Sequence, residues 1–200
     1  MKDNWLTTNK AKQFLATVQD GEIPELFNVS PSEWQENHIL RRELTKIGMW
    51  AIVDKSWTKH LADDEIKGRK CLEVMAGNGY LSKALSEHGV DIIATDDKSW
   101  DGMNHDVFDV EKLSGVESIE KYGDNCDILI VSWPPYEDPE INEICRKWGK
   151  DKRIIFIGEG CGGCTADDTF FDNFEYEDSS VDLPSYWGIN DYIFVGYYEG

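Results

Sequence analysis

Between residues 71 and 97 the chain reads strand, glycine turn, helix, strand, acid, an order that few architectures other than an α/β sheet accommodate. Cys71-Leu-Glu-Val-Met75 is a short apolar run, Ala76-Gly77-Asn78-Gly79 is a turn, and Leu81–Glu87 has helical spacing. A second apolar run, Ile92-Ile-Ala-Thr95, ends in Asp96-Asp97. Glycine at a strand-to-helix turn lets a ligand approach with no Cβ in the way. The helix N-terminus beyond offers unpaired N–H groups to polar ligand atoms. A carboxylate closing the second strand can accept hydrogen bonds from both hydroxyls of a ribose. Ala76, Gly77, Asn78, Gly79 and Tyr80, with Asp96 and Asp97, are therefore candidate cofactor-binding residues.

The alternation continues through the strand Asp127–Val131, the helix Ile141–Trp148 and the strand Arg153–Ile157. Strands alternating with helices predict βαβ units and a parallel sheet. Asp127-Ile-Leu-Ile-Val131 is apolar at consecutive positions, as a strand covered on both faces must be. The aromatic-rich segment Ser185–Tyr198, broken around Gly188 to Asp191, predicts an antiparallel hairpin at one edge. The expected fold class is α/β, a Rossmann-like, doubly wound, mostly parallel sheet of seven strands with a C-terminal antiparallel hairpin. Ahead of it stands an N-terminal helical extension. Its expected helices are Ala11–Val18, a second running to about Lys46, and Ser56–Ile66. The second begins with Ser30 as N-cap, Pro31 in the first turn and Glu33 closing a capping box. The expected organisation is an extension or cap over 1–65 and the chemistry-bearing domain over 66–200.

Charge narrows the partners. Lys and Arg number 20 against 39 Asp and Glu, a net −19, and after Arg153 there are ten carboxylates and no Lys or Arg. A protein that binds duplex nucleic acid needs a cationic face to displace counterions. This balance argues against nucleic acid and fits a solvated acidic surface or a docking face for a cationic partner. The start MKDNW lacks the pattern of a secretion signal, and the apolar runs are too short to span a bilayer, so no membrane association is expected. Five cysteines, an odd number without framework spacing, fit a reducing, cytoplasmic setting. Cys161-x-x-Cys164 lacks the second ligand pair that structural zinc requires, and no metal is expected. The loop Gly158–Asp168 carries four glycines within six residues and can approach a ligand closely. Glu159, at the end of its strand, is a candidate acid or amine-binding carboxylate.

Two families use a turn of this kind. A dinucleotide enzyme has a third glycine, G-x-G-x-x-G, and here Gly77-Asn78-Gly79 is followed by Tyr80-Leu81-Ser82. The stretch instead resembles motif I of class I S-adenosylmethionine-dependent methyltransferases, (D/E)-x-G-x-G-x-G. Glu73 matches the acid, Gly77 and Gly79 match the last two glycines, and Met75 stands where the family has its first. Asp96 matches the acid after the second strand. The resemblance covers about two thirds of the chain, from Lys70 to the C-terminus. It implies S-adenosylmethionine (SAM) as cofactor. Gly77–Tyr80 would then hold the methionine portion, with Met75 beside it. Asp96 would hold the ribose, and Asp109, where the third strand should end, would lie near the adenine.

A second stretch, Ser132-Trp133-Pro134-Pro135-Tyr136, resembles motif IV of amino-methyltransferases, (D/N/S)-P-P-(Y/F/W). Trp133 stands where the family has an acid, amide or serine, and Ser132 comes one residue early. Together with the glycine-rich loop after the next strand, the SWPPY run is similar to a small uncharacterised branch of methyltransferase-like proteins. The resemblance implies an enzyme that transfers a methyl group from SAM to a small-molecule or peptide-sized acceptor. Ser132, Trp133 and Tyr136 would line the acceptor side, Ser132 would also touch the cofactor, and Glu159 would serve as candidate base. The alternatives are a nucleic-acid base amino-methyltransferase and a non-catalytic SAM-binding module. A small molecule or cationic peptide is the expected partner. The sequence leaves homo-oligomerisation open.

Overall fold

A computed structural model describes residues 6–30, 32–100 and 105–200. The MKDNW start and Pro31 lie outside them. Seven strands form one sheet in the order β3-β2-β1-β4-β5-β7-β6. β1 (Cys71–Val74), β2 (Ile92–Asp96), β3 (Val110–Lys112), β4 (Ile128–Ser132) and β5 (Arg153–Glu159) are mutually parallel. β7 (Asp191–Tyr198) runs antiparallel to both β5 and β6 (Phe174–Asp178). Strand order reverses between β1 and β4, and ligands of open α/β sheets bind outside the carboxyl ends of the strands at such a point.

The sheet separates two apolar layers, as strict alternation on buried strands requires. On one face Leu72, Val74, Leu129, Val131, Ile154 and Phe156 pack under α5 (Gly115–Tyr122), α6 (Glu140–Trp148) and α7 (Asp168–Asn173). On the other, Cys71, Ile128, Ile130, Ile155 and Ile157 meet α4 (Tyr80–Glu87) and the whole N-terminal extension. That extension comprises α1 (Asn9–Gln19), α2 (Trp34–Thr45) and α3 (Lys55–His60), which runs on into a π-helical turn, Leu61–Ile66. Its Leu40, Leu44, Ile52, Leu61 and Ile66 are fully buried. Buried Asp54 fastens it internally, accepting hydrogen bonds from the backbone N–H of Phe27, Ser56 and Trp57. Among the described residues no helix is long and apolar enough to cross a membrane.

Three local expectations shift. α2 begins at Trp34 and has no side-chain cap; of the expected box only one half forms, the Glu33 carboxylate accepting from Ser30 N–H, while Ser30 Oγ accepts from Ser32 N–H. The edge hairpin exists, but its first arm is β6 and not the segment before Gly188. β6 reads Phe-Glu-Tyr-Glu-Asp with Phe174 alone buried, so its charges face solvent, as suits an exposed edge. The third strand begins after Asp109, not before it.

α5 starts with a complete capping box: Ser114 Oγ accepts from Glu117 N–H, and the Glu117 carboxylate accepts from Ser114 N–H. Ser114→Ala is expected to lower stability by about 1 kcal/mol. Urea unfolding checks this as a reduced midpoint at unchanged slope.

Candidate functional site

At the carboxyl ends of β1, β2 and β4 lies a cavity of about 450 Å³, roofed by residues 41–53 of the extension. That size suits a small-molecule ligand. The β1–α4 turn forms its floor. Met75 (φ 56°) and Gly77 (φ 60°) both take the left-handed conformation, which bends the chain sharply off the strand. Ala76 N–H donates to Thr95 O, tying the turn to β2. Gly77 N–H donates to Asp96 Oδ2 at 2.8 Å, and Lys98 N–H donates to Asp96 Oδ1 at 2.8 Å. A carboxylate offers about four lone-pair sites, so Asp96 clamps the turn and keeps acceptor capacity for a ligand. Burial raises the Asp96 carboxyl above its usual range, against the pull of those two N–H groups.

Glu73 sits on β1 beneath the turn and is almost inaccessible. It accepts from the Ser82 hydroxyl and from Ser82 N–H, binding β1 to the first turn of α4. Burial pushes its carboxyl up to about 8. Met75 is half-buried and packs on the layer of Leu72 and Val74 under α5 and α6, leaving the cavity open beside it.

The β4 end closes the opposite wall. Trp133 is also left-handed (φ 53°), and its N–H donates to Ile157 O on β5. Its indole Nε1–H donates to Asp191 Oδ1 at 2.8 Å. Asp191 is 6% exposed, and burial pushes its carboxyl up to about 7. The Trp133 ring stacks on Trp50 (centroids 6.1 Å apart, planes at 21°), and Trp50 meets Trp100 edge-on at 5.3 Å. The Arg41 guanidinium lies over Trp133, 5.7 Å from the ring centre.

The structure brings Glu73, Met75, Ala76, Gly77, Tyr80, Asp96, Asp97, Ser132, Trp133 and Tyr136 to this one cavity. Four candidates fall elsewhere. Asn78 donates through Nδ2 to Ile47 O, fastening the turn to the extension. Gly79 caps α4 with φ 82°, where a Cβ would stand 2.8 Å from Phe108 Cβ and Val110 Cγ2. Asp109 is exposed at the amino end of β3, the wrong end of a parallel strand for a ligand contact. Glu159 is buried behind the wall. Its oxygens accept from Cys164 N–H and Asn190 N–H, so it holds the loop after β5.

Residues missed by sequence reasoning also line it, among them Arg41, Met49, Trp50, Trp100, Gly115, Asp138 and Glu140. The apolar run Met49-Trp-Ala-Ile-Val53 directly after Gly48 was the available signal, since it fits neither helix nor strand. Among the described residues four carboxylates (Asp96, Asp97, Asp138, Glu140) face one cation, Arg41, across this space, while buried Glu73 keeps its proton near neutral pH. Burial raises the Glu140 carboxyl, and Asp138 and Asp97 add to the rise. Such a cavity favours a positively charged guest. Among the described residues no group of three or more His, Cys, Asp or Glu is placed to hold a metal ion. Cys161 and Cys164 are exposed and unbridged.

No protein-family model and no curated protein matches this sequence. Solved structures do. A SAM-dependent methyltransferase from Agrobacterium tumefaciens is 11% identical with a TM-score of 0.41; the match covers 72% of this chain and 60% of that one. The magnesium protoporphyrin IX methyltransferase of Synechocystis, with bound SAM, is 14% identical with a TM-score of 0.49, covering 98% and 99%. A protein of the NADB-Rossmann superfamily from Streptococcus agalactiae is 16% identical with a TM-score of 0.45, covering 72% and 68%.

Proposed function

We propose that the protein binds SAM in this cavity and transfers its methyl group to a small-molecule or peptide-sized acceptor. One observation carries the reading: the glycine turn of β1 and the Ser132–Tyr136 corner of β4 open into a single space at the switch point of the sheet. The acidic lining suits a cofactor that carries a positive charge. Asp96 and Asp97 stand where a ribose would be held. Met75, Ala76, Gly77 and Tyr80 line the side for the methionine portion, over Glu73.

The cofactor, when bound, supplies a methyl group already activated on a sulfonium. The protein's work is then positioning and desolvation. Residues 1–65 act as a cap that keeps water from the reacting atoms, and 66–200 carry the sites. Ser132, Trp133 and Tyr136 orient the acceptor at the mouth. Glu159 has no part in this reading, because both its oxygens hold backbone N–H groups. The same lining disfavours phosphate, so a nucleic-acid acceptor ranks below a neutral or cationic one. The thiols of Cys71, Cys126 and Cys145 are buried and unbridged, in keeping with a reducing, cytoplasmic setting.

Calorimetric titration with SAM and with its demethylated product, S-adenosylhomocysteine, tests the reading. Saturable binding of both at one site per chain is expected. Binding of neither overturns it. Binding without methyl release to any acceptor in a metabolite pool reduces it to a non-catalytic module.

A further inference from the structure

We propose that Trp50, Trp100 and Trp133 form a recognition site for an organic ammonium group, and that the Arg41 guanidinium holds the place such a cation takes. Calling that ligand the methyl acceptor rests on the reading above; the recognition site itself does not.

The three indoles come from three separate parts of the fold: the cap, the loop after β2, and the corner after β4. Hydrophobic packing alone gives poor reason for this convergence. Trp100 remains 56% exposed, and Trp50 and Trp133 are half-buried at the same opening. Large aromatic surface kept at a cavity mouth marks a binding site more often than a core. The faces of indole rings carry negative potential and attract cations, more strongly when water is excluded.

One of these faces already holds a cation. Arg41 lies over Trp133 and forms no ion pair with any described residue. Its charge is answered by the ring and by the field of nearby carboxylates. Trp133 is fixed to receive it, through its bond to Asp191 and its left-handed backbone. Asp97, Asp138 and Glu140 line the same space, and among the described residues no lysine does. A flat neutral ligand gains from the rings but not from the carboxylates, and an anion loses on both counts. An alkylated ammonium gains from both. It is also weakly hydrated, so it displaces Arg41 at low desolvation cost.

The test uses the full chain and two probes of equal shape. Choline carries a permanent positive charge; 3,3-dimethyl-1-butanol replaces the nitrogen with carbon and is neutral. Tryptophan fluorescence and calorimetry would follow each, with and without saturating S-adenosylhomocysteine. Choline is expected to bind at least about tenfold more tightly than its neutral twin. Trp100→Ala should lower choline affinity by a similar factor while S-adenosylhomocysteine affinity is kept. Arg41→Ala should raise choline affinity by vacating the ring. Trp34→Ala, an exposed tryptophan outside the cavity, should change neither. Equal affinity for the two probes overturns the proposal, as does absence of choline binding to both the wild type and Arg41→Ala. Mutual exclusion of choline and S-adenosylhomocysteine, or loss of the latter's affinity in Trp100→Ala, overturns the acceptor assignment and gives the cage to the cofactor. Nucleoside binding without choline binding sinks this inference alone. Choline binding without nucleoside binding sinks the methyl-transfer reading alone.

Discussion

Asp96→Ala is expected to weaken SAM binding by roughly 10- to 100-fold, the equivalent of ~1–3 kcal/mol for hydrogen-bond partners left unmade. Two effects act together. The ribose loses an acceptor, and the N–H groups of Gly77 and Lys98 lose the carboxylate that clamps them. The second also reaches the folded state without ligand, because a buried donor with no acceptor costs about as much again. The Lys98 ammonium, which bonds Gly77 O, remains and keeps the turn partly tied. Asp96→Asn should be milder, since its amide oxygen can serve only one of the two donors well. Titration calorimetry on the three proteins, with thermal unfolding alongside, separates ligand loss from turn loss. Equal affinities for wild type and Asp96→Ala would remove Asp96 from the ribose role.

The stability of this protein is expected to fall as pH rises from about 5 to 8, against the habit of proteins whose carboxylates are held down by partners. Glu73 has an ordinary value of 4.5 and stands at about 8 when folded. Between those values the folded chain keeps a proton that the unfolded chain has released. Stability is then fully present below 4.5 and is lost through the folded value, at up to about 1.4 kcal/mol per pH unit for one proton. Asp191, raised from 3.8 to about 7, acts in the same direction over a lower window. Glu73→Gln preserves an acceptor for Ser82 and carries no charge, so it should flatten the slope and be more stable than wild type by a few kcal/mol near pH 8. Urea midpoints at several pH values from 5 to 8.5 decide the matter. A wild-type curve that rises with pH, or a variant curve parallel to it, would show Glu73 ionised in the folded protein.

Local signals made the floor of the cavity legible. The β1 turn, α4 and the acid of β2 follow from glycine chemistry and strand period within 27 consecutive residues, 71–97, and the parallel sheet follows from alternation. What escaped was long-range or nearly featureless. β3 is three residues, Val-Glu-Lys, with no fully buried member, so nothing in its pattern fixed its start, and Asp109 was placed at the wrong end. β6 offers one buried side chain in five and reads as an acidic linker. Tyr186 is buried, although it belongs to a loop and not a strand, which misdirected the first arm of the hairpin. Glu159 does end a strand as expected. Its side chain turns to the following loop, where Gly163 comes so near that a Cβ would lie 2.4 Å from Glu159 Cβ. Arg41 and Asp191 reach the site only through tertiary packing, and no spacing in the sequence announces it; Trp50 had only the apolar run 49–53 to mark it.

Three of the bonds that hold the extension start from the glycine turn and the helix that follows it. Asn78 reaches Ile47 O, the Tyr80 hydroxyl reaches Val18 O, and the Lys83 ammonium reaches Gly21 O. Every donor is a side chain of the glycine turn or of α4, and every acceptor is a main-chain carbonyl of the extension. Cutting the chain near residue 65 would thus strand those donors and leave α4 as the only described helix over that side of the sheet. The extension and the sheet share one core, and neither portion is a spare part.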